Sequence, residues 1–206
     1  MKIAVRTGIT LGLVAGLAFG GYAVAGLMLK ADAASKIAIG DAMPDFKLKC
    51  TGGNEHTLSG HKGEIVVLNF SSQTCPFSKG ADPSINDVAK KYEDKGVVFL
   101  GIDSNVTNSV EDIAKHIEDA GISYPILKDE GNTYADALGA KVTPEIFIVD
   151  KEGKLAYHGA PDNRTGPEAE PTERYLDDAL AALTAGEAVK TTTTSAWGCG
   201  IKRGKK

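Results

Sequence analysis

The sequence is poor in the features that most often announce a function. It has three cysteines in 206 residues, Cys50, Cys75 and Cys199. They are too few and too scattered to staple a small disulfide-built domain, and no two have metal-finger spacing. A Cys-x-x-Cys pair is absent, which removes the local dithiol of an ordinary disulfide reductase. The four histidines, His56, His61, His116 and His158, lack ligand-type spacing, so no metal site is expected. Basic residues number 23 against 27 acidic ones, a formal net charge of −4. No electrostatic footprint for phosphate results, and no nucleic acid partner is expected. Glycine-rich phosphate loops and Ser/His/Asp signatures are missing, and no cofactor is implied. Disorder is excluded as well: 42% of residues are hydrophobic and 24% charged, enough apolar material for a packed core.

One long apolar run is present. Lys2 and Arg6 precede an uncharged stretch from Thr7 to Leu29, and Lys30 closes it. Roughly 20 residues suffice to span a bilayer as a helix. Ala31-Asp32-Ala33 also has the form of a signal-peptide cleavage site. Residues 1–33 are therefore expected to be a signal peptide or a membrane anchor, with anchoring through residues 7–29. The basic flank stays cytoplasmic, which sends the remainder to the periplasm or the outer face of the cytoplasmic membrane.

Beyond residue 34 the pattern is α/β. Phe46 to Cys50 alternates apolar and polar, Thr51-Gly52-Gly53-Asn54 turns, and His56-Thr57-Leu58 returns as a hairpin. Continuous apolar runs at 64–70 and 97–102 predict strands buried on both faces. Residues 76–94 predict a helix with Pro83 inside it, and Ser109 caps a helix over 109–120. A short strand is expected at 126–127 and a short helix at 133–138. Strands at 145–150 and 155–158 form a second hairpin. The last helix is expected over 172–184, and the tail from 185 holds a threonine run, Trp197, Cys199 and a basic end.

Cys75-Pro76-Phe77-Ser78 carries the chemistry. A cysteine between a buried strand and a helix, with proline at the first helical position, faces unpaired N–H groups and the positive end of the helix dipole. Both stabilise a thiolate, so Cys75 is expected to be nucleophilic. Cys199, flanked by Gly198 and Gly200, is the candidate partner. It could resolve an oxidised Cys75, bond Cys50 as a clamp, or remain free. Cys50 itself reads as a small apolar residue at a hairpin end. His158 is expected on the sheet surface. Trp197 is expected to anchor the tail in an apolar groove, and Asn105-Val106-Thr107 and Asn163-Arg164-Thr165 match the glycosylation pattern.

Asn69-Phe70-x-x-x-x-Cys75-Pro76, with Pro83 following, resembles the thioredoxin superfamily. Val142-Thr143-Pro144-Glu145-Ile146-Phe147-Ile148-Val149-Asp150 resembles its cis-proline loop and the strand after it. The long interval from Cys75 to Pro144 suits the redoxin branch, which includes peroxiredoxin-like proteins (alkyl hydroperoxide reductase/thiol-specific antioxidant) and membrane-tethered thioredoxin-like reductases. Leu155-x-Tyr157-x-Gly159-x-x-Asp162-Asn163 and Gly198-Cys199-Gly200-Ile201-Lys202 are similar to an atypical peroxiredoxin-like group. The resemblance covers residues 38–203. It implies a thioredoxin-like fold, with a mixed central β-sheet flanked by helices, over residues 34–190, and a tail over 191–206. It implies a cis Pro144 facing Cys75, where the neighbouring backbone can pair with a thiol substrate. Cys75, Cys199, Ser72 and Ser78 become the catalytic candidates, and Pro76, Phe77, Thr143 and Pro144 the substrate-binding ones.

The pattern also departs from the family. Ser78 stands where a resolving cysteine would, and can hydrogen-bond a thiolate without resolving a disulfide. The peroxiredoxin Pro-x-x-x-Thr-x-x-Cys reads Leu68 and Ser72 at its first two marked positions. Its arginine is missing, with Lys141 or Arg164 as substitutes. The implied function is an exported thiol oxidoreductase acting on a peroxide or a disulfide-containing protein and reset by an external thiol reductant. The alternatives are a monothiol disulfide reductase of envelope proteins and a non-catalytic binding module.

Overall fold

The computed structural model describes residues 37–205. The expected signal or anchor, residues 1–33 with 7–29 as its apolar part, lies outside the described residues. Among the described residues no helix is long and apolar enough to cross a membrane.

The chain begins with the predicted hairpin, β1 (Lys47–Cys50) and β2 (Glu55–Thr57), turned at Gly53 with φ 83°. The strand β3 (Ile65–Phe70) follows, buried at every position. Its side chains divide between two cores as strand alternation requires. Ile65 and Val67 enter one, and Val66, Leu68 and Phe70 the other. Helix α1 (Pro76–Tyr92) starts on Pro76 and ends in a 3₁₀ turn stopped by Gly96 at φ 71°. Next come β4 (Val97–Asp103), α2 (Val110–Ala120) and β5 (Ile126–Lys128). The cap of α2 is the one read from sequence: Ser109 Oγ accepts from the Asp112 N–H at 3.1 Å. The chain continues through α3 (Thr133–Leu138), β6 (Val142–Thr143), β7 (Glu145–Val149) and β8 (Leu155–Gly159). It finishes with α4 (Tyr175–Thr184) and β9 (Cys199–Gly200).

The main sheet has seven strands in the order β2-β1-β5-β4-β3-β7-β8. Its centre is β3, parallel to β4 with Leu68 opposite Leu100, and antiparallel to β7 with Leu68 opposite Phe147. The parallel pairs β3–β4 and β4–β5 are joined through α1 and α2, so the C-terminal ends of three strands meet where α1 starts. Side chains of α1, α2 and α4 fill one core, and Tyr134, Ala135 and Leu138 of α3 the other. This is the mixed, helix-flanked sheet of the thioredoxin-like fold.

Two local differences have physical causes. The last helix starts at Tyr175, not Thr172, because Asn163 holds the preceding backbone. Its Oδ1 accepts from Thr172 N at 2.9 Å and Glu173 N at 3.1 Å. The tail, which has no hydrophobic periodicity, is nevertheless paired. Residue 193 bridges to His158 beside β8, and β9 lies antiparallel to β6 in a separate two-stranded sheet.

Candidate active site

Cys75 is the N-cap of α1, in extended conformation, with Pro76 at the first helical position. The residue is only 2% exposed. In the neutral form its S–H donates to the Thr143 carbonyl at 3.0 Å. The Thr143–Pro144 peptide is cis, so β6 ends directly beside the thiol. Antiparallel pairing of β6 with β9 sets Cys199 opposite Thr143 and brings its thiol onto Cys75.

The two sulfurs are electrostatically unequal. Burial pushes the Cys75 thiol up. The Cys199 thiol, the Thr143 side chain and the N–H groups of Ser78 and Cys199 outweigh it, and hold Cys75 below the usual thiol value. Thr143 Oγ1 is buried and has no hydrogen-bond partner among the described residues. Cys199 moves the other way: burial and its contact with Cys75 raise it, against opposing effects of the Phe77 N–H and Lys202. The first proton to leave the pair therefore comes from Cys75. Both N–H groups from α1 belong to its first turn, which is where a helix has donors to spare.

The loop before Cys75 rests on a buried polar network. Ser72 Oγ accepts from Asn105 Nδ2 at 2.7 Å and Asn108 Nδ2 at 3.0 Å, and its carbonyl accepts from Cys75 N at 3.0 Å. Ser78 Oγ accepts from Ser72 N at 3.3 Å, so the Ser78 hydroxyl shapes the loop. Asn108 also donates to Asp103 Oδ2 at 2.6 Å. Burial raises the Asp103 carboxyl despite that bond and the nearby Lys128 ammonium. Lys128 Nζ lies 3.4 Å from Asp103 Oδ1 and donates to Asn105 O at 2.6 Å. Asn105, expected as a possible glycosylation acceptor, is 3% exposed with both amide ends engaged: Oδ1 accepts from Lys202 N at 2.6 Å. The folded chain does not offer it for modification.

Glu145, next to the cis proline, was not singled out from the sequence. Its Oε2 accepts from Lys141 N at 2.7 Å and Val142 N at 3.1 Å, while Oε1 lies 2.7 Å from His158 Nε2. Burial raises its carboxyl, but His158 and the two N–H groups bring it below the ordinary value. His158 stacks on Phe147 with centroids 4.2 Å apart and is thus part of the support for β6, beyond its expected place on the sheet surface.

The remaining candidates divide clearly. Phe77 packs against Trp197 with ring centroids 5.7 Å apart, beside Cys75. Pro144 is buried, and Pro76 is exposed at the helix start. Neither proposed arginine substitute is directed to the thiol by its contacts. Arg164 forks onto Asp162, at 2.9 Å and 2.6 Å, and donates to Gly80 O at 2.6 Å and Ser84 Oγ at 2.9 Å. This fixes the 160–171 loop to α1. Lys141 is exposed, and its backbone carbonyl takes Ile201 N at 2.9 Å. Cys50 sits in β1, with β5 and β4 between it and β3. Three strand spacings come to about 14 Å, which is beyond disulfide reach from Cys75.

A site with one buried, acidified thiol, a second thiol on it and a backbone edge beside both is built for sulfur redox chemistry. The chain is similar to several known proteins. The AhpC/TSA family profile matches residues 39–158. The thiol-disulfide oxidoreductase ResA of Geobacillus thermodenitrificans (strain NG80-2) is 31% identical over 154 residues, covering 75% of this chain and 84% of that protein. A crystal structure of a hypothetical protein from Sinorhizobium meliloti 1021 superposes with TM-score 0.77 at 31% identity, covering 83% of this chain and 97% of that one. One of an uncharacterized conserved protein from Geobacillus kaustophilus gives TM-score 0.77 at 30% identity, covering 84% and 95%.

Proposed function

We propose a two-cysteine peroxidase cycle for this chain, which belongs to the AhpC/TSA family of thioredoxin-fold oxidoreductases. The observation that carries the reading is the Cys199 thiol seated on Cys75 by the β6–β9 pairing. The Cys75 thiolate attacks the outer oxygen of a hydroperoxide. An S–O bond forms as the O–O bond breaks, and the alkoxide or hydroxide leaves with a proton. Cys75 is oxidised by two electrons to sulfenic acid, and the peroxide is reduced to alcohol or water. Cys199 then gives up its proton as its sulfur attacks the Cys75 sulfur. The S–S bond forms, the S–O bond breaks, and water carries off the Cys199 proton. Two external thiols, or one dithiol, then restore the pair: the first forms a mixed disulfide, the second resolves it, and the donor leaves as a disulfide, having supplied two electrons and two protons.

A second reading, exchange with a protein disulfide, is favoured by the similarity to ResA. Cys75 would form a mixed disulfide, and Cys199 would release the reduced partner. Its geometry is less ready, because β9 already occupies the edge of β6. The non-catalytic binding module is disfavoured by the raised acidity of Cys75 beside a second thiol. We also propose export of the domain, from the basic flank and apolar run within residues 1–33.

The test is to mix reduced protein with one equivalent of hydrogen peroxide, or separately of a protein disulfide, and map the sulfurs by mass. A Cys75–Cys199 disulfide with peroxide, and a sulfenic acid trapped on Cys75 in Cys199→Ser, is the expected result. Mixed disulfides forming faster than the peroxide reaction would favour the second reading. A Cys50–Cys199 bridge would refute the resolving role.

A further inference from the structure

The tail does more than deliver a sulfur. From Thr193 to Gly204 it is stitched across the end of the sheet. Thr194 Oγ1 accepts from Ala160 N at 2.9 Å. Trp197 Nε1 donates to Asp162 O at 2.8 Å, and its ring lies on Phe77 and within 5.5 Å of the Arg164 guanidinium. Gly198, at φ 133°, passes so close to β6 that a Cβ would lie 2.0 Å from the Thr143 carbonyl oxygen. Ile201 is 7% exposed in the core that holds Leu138. Lys202 N donates to Asn105 Oδ1, Lys202 O accepts from Val106 N at 3.1 Å, and Arg203 Nε donates to Asp136 at 2.9 Å.

The consequence lies in the register. The position opposite Thr143 is where an extended strand must put a cysteine to bring sulfur against Cys75, and Cys199 has it. We propose that residues 197–203 are a resident substrate strand. They set the specificity of Cys75, which is 2% exposed, by admitting only small oxidants and excluding protein cysteines until the tail lifts. The strand also describes the partner able to replace it. That partner is an extended segment with an aromatic residue, then glycine, then the reacting cysteine, then one spacer and an aliphatic residue. This rests on Cys75 being the nucleophile, but not on the oxidant being a peroxide.

The experiment compares two maleimides on the reduced full-length chain, N-methylmaleimide and maleimide carrying a polyethylene glycol chain, with Cys75 labelling followed by mass. The ratio of the two rates cancels changes in thiol acidity. Gly198→Val, which cannot keep the close approach, is expected to raise the bulky-to-small ratio by about tenfold or more, as a few hydrogen bonds' worth of protection against local opening is lost. An unchanged ratio in a folded Gly198→Val chain overturns the proposal. Hydrogen exchange on the wild-type chain supplies the measurement that needs no variant. The amides of Ile201 and Lys202 are expected to exchange at least about tenfold slower than in an unstructured peptide, and exchange at the peptide rate overturns the proposal as well. Failure to react with peroxide would strike the peroxidase cycle and leave the labelling ratio intact, so the two failures are distinguishable.

Discussion

Oxidising the chain should stabilise it by an amount that its topology sets. Cys75 and Cys199 stand 124 positions apart, so their bond closes most of the domain into one loop. The chain-entropy account assigns about 5 kcal/mol to a loop of that length. Native-state strain usually erodes such gains. Here little erosion is expected, since the two thiols already influence each other's acidity and β9 is already paired. We expect 3 to 5 kcal/mol, about 2 M in urea midpoint for a domain of this size. The same free energy, read as linkage, places the reduction potential of the folded pair about 65 to 110 mV below that of the pair in the unfolded chain. The assay is urea unfolding of oxidised and reduced protein by circular dichroism, in a Cys50→Ser background that prevents scrambling. A gain under about 1 kcal/mol, with the bond mapped to Cys75 and Cys199, would refute the claim that the reduced chain is preorganised for closure.

Three further outcomes follow from contacts described above. Asn105→Ala removes the amide shared by Ser72 and Lys202, and should cost about 2 kcal/mol for two buried hydrogen bonds, with tail amides losing exchange protection first. Glu145 has a folded pKa below its ordinary 4.5, so its contribution is complete above that value and is lost as pH falls through the folded pKa. Denaturation curves of the wild type and Glu145→Gln should accordingly differ at pH 7 and converge in acid. Arg164→Lys should destabilise by about 2 kcal/mol, because a lysine cannot reproduce the buried fork. Its peroxide rate should stay within about twofold of wild type, since Arg164 serves the loop and not the thiol; a rate collapse in the folded variant would restore it as a catalytic candidate.

Much of the scaffold was legible because it is local. The apolar run of β3, the Ser109 cap and the Cys75-Pro76 helix start each state their structure within a few residues. What escaped reading is nonlocal. The Thr-rich and Gly-rich tail has no periodicity, and its pairing with β6 depends on a partner more than 50 positions earlier. Asn105 has the local form of a glycosylation acceptor, and only tertiary burial cancels it. Arg164 has the charge that a peroxide site would use, yet Asp162, two residues before it, claims the guanidinium. Glu145 and His158 looked unremarkable singly, and acquire a role because the β7–β8 hairpin brings them together.

The chain contains a single tryptophan, and that residue is Trp197. It sits on the tail, two positions from Cys199, with its ring on Phe77 of the helix that begins at Cys75. Tryptophan fluorescence therefore comes from one place, and that place is the strap itself. Lifting the tail exposes the indole to water and should shift its emission to the red. Chemistry at the neighbouring sulfurs alters the quenchers beside it. The molecule thus carries its own optical probe, and stopped-flow emission can time tail movement against sulfur oxidation without a label.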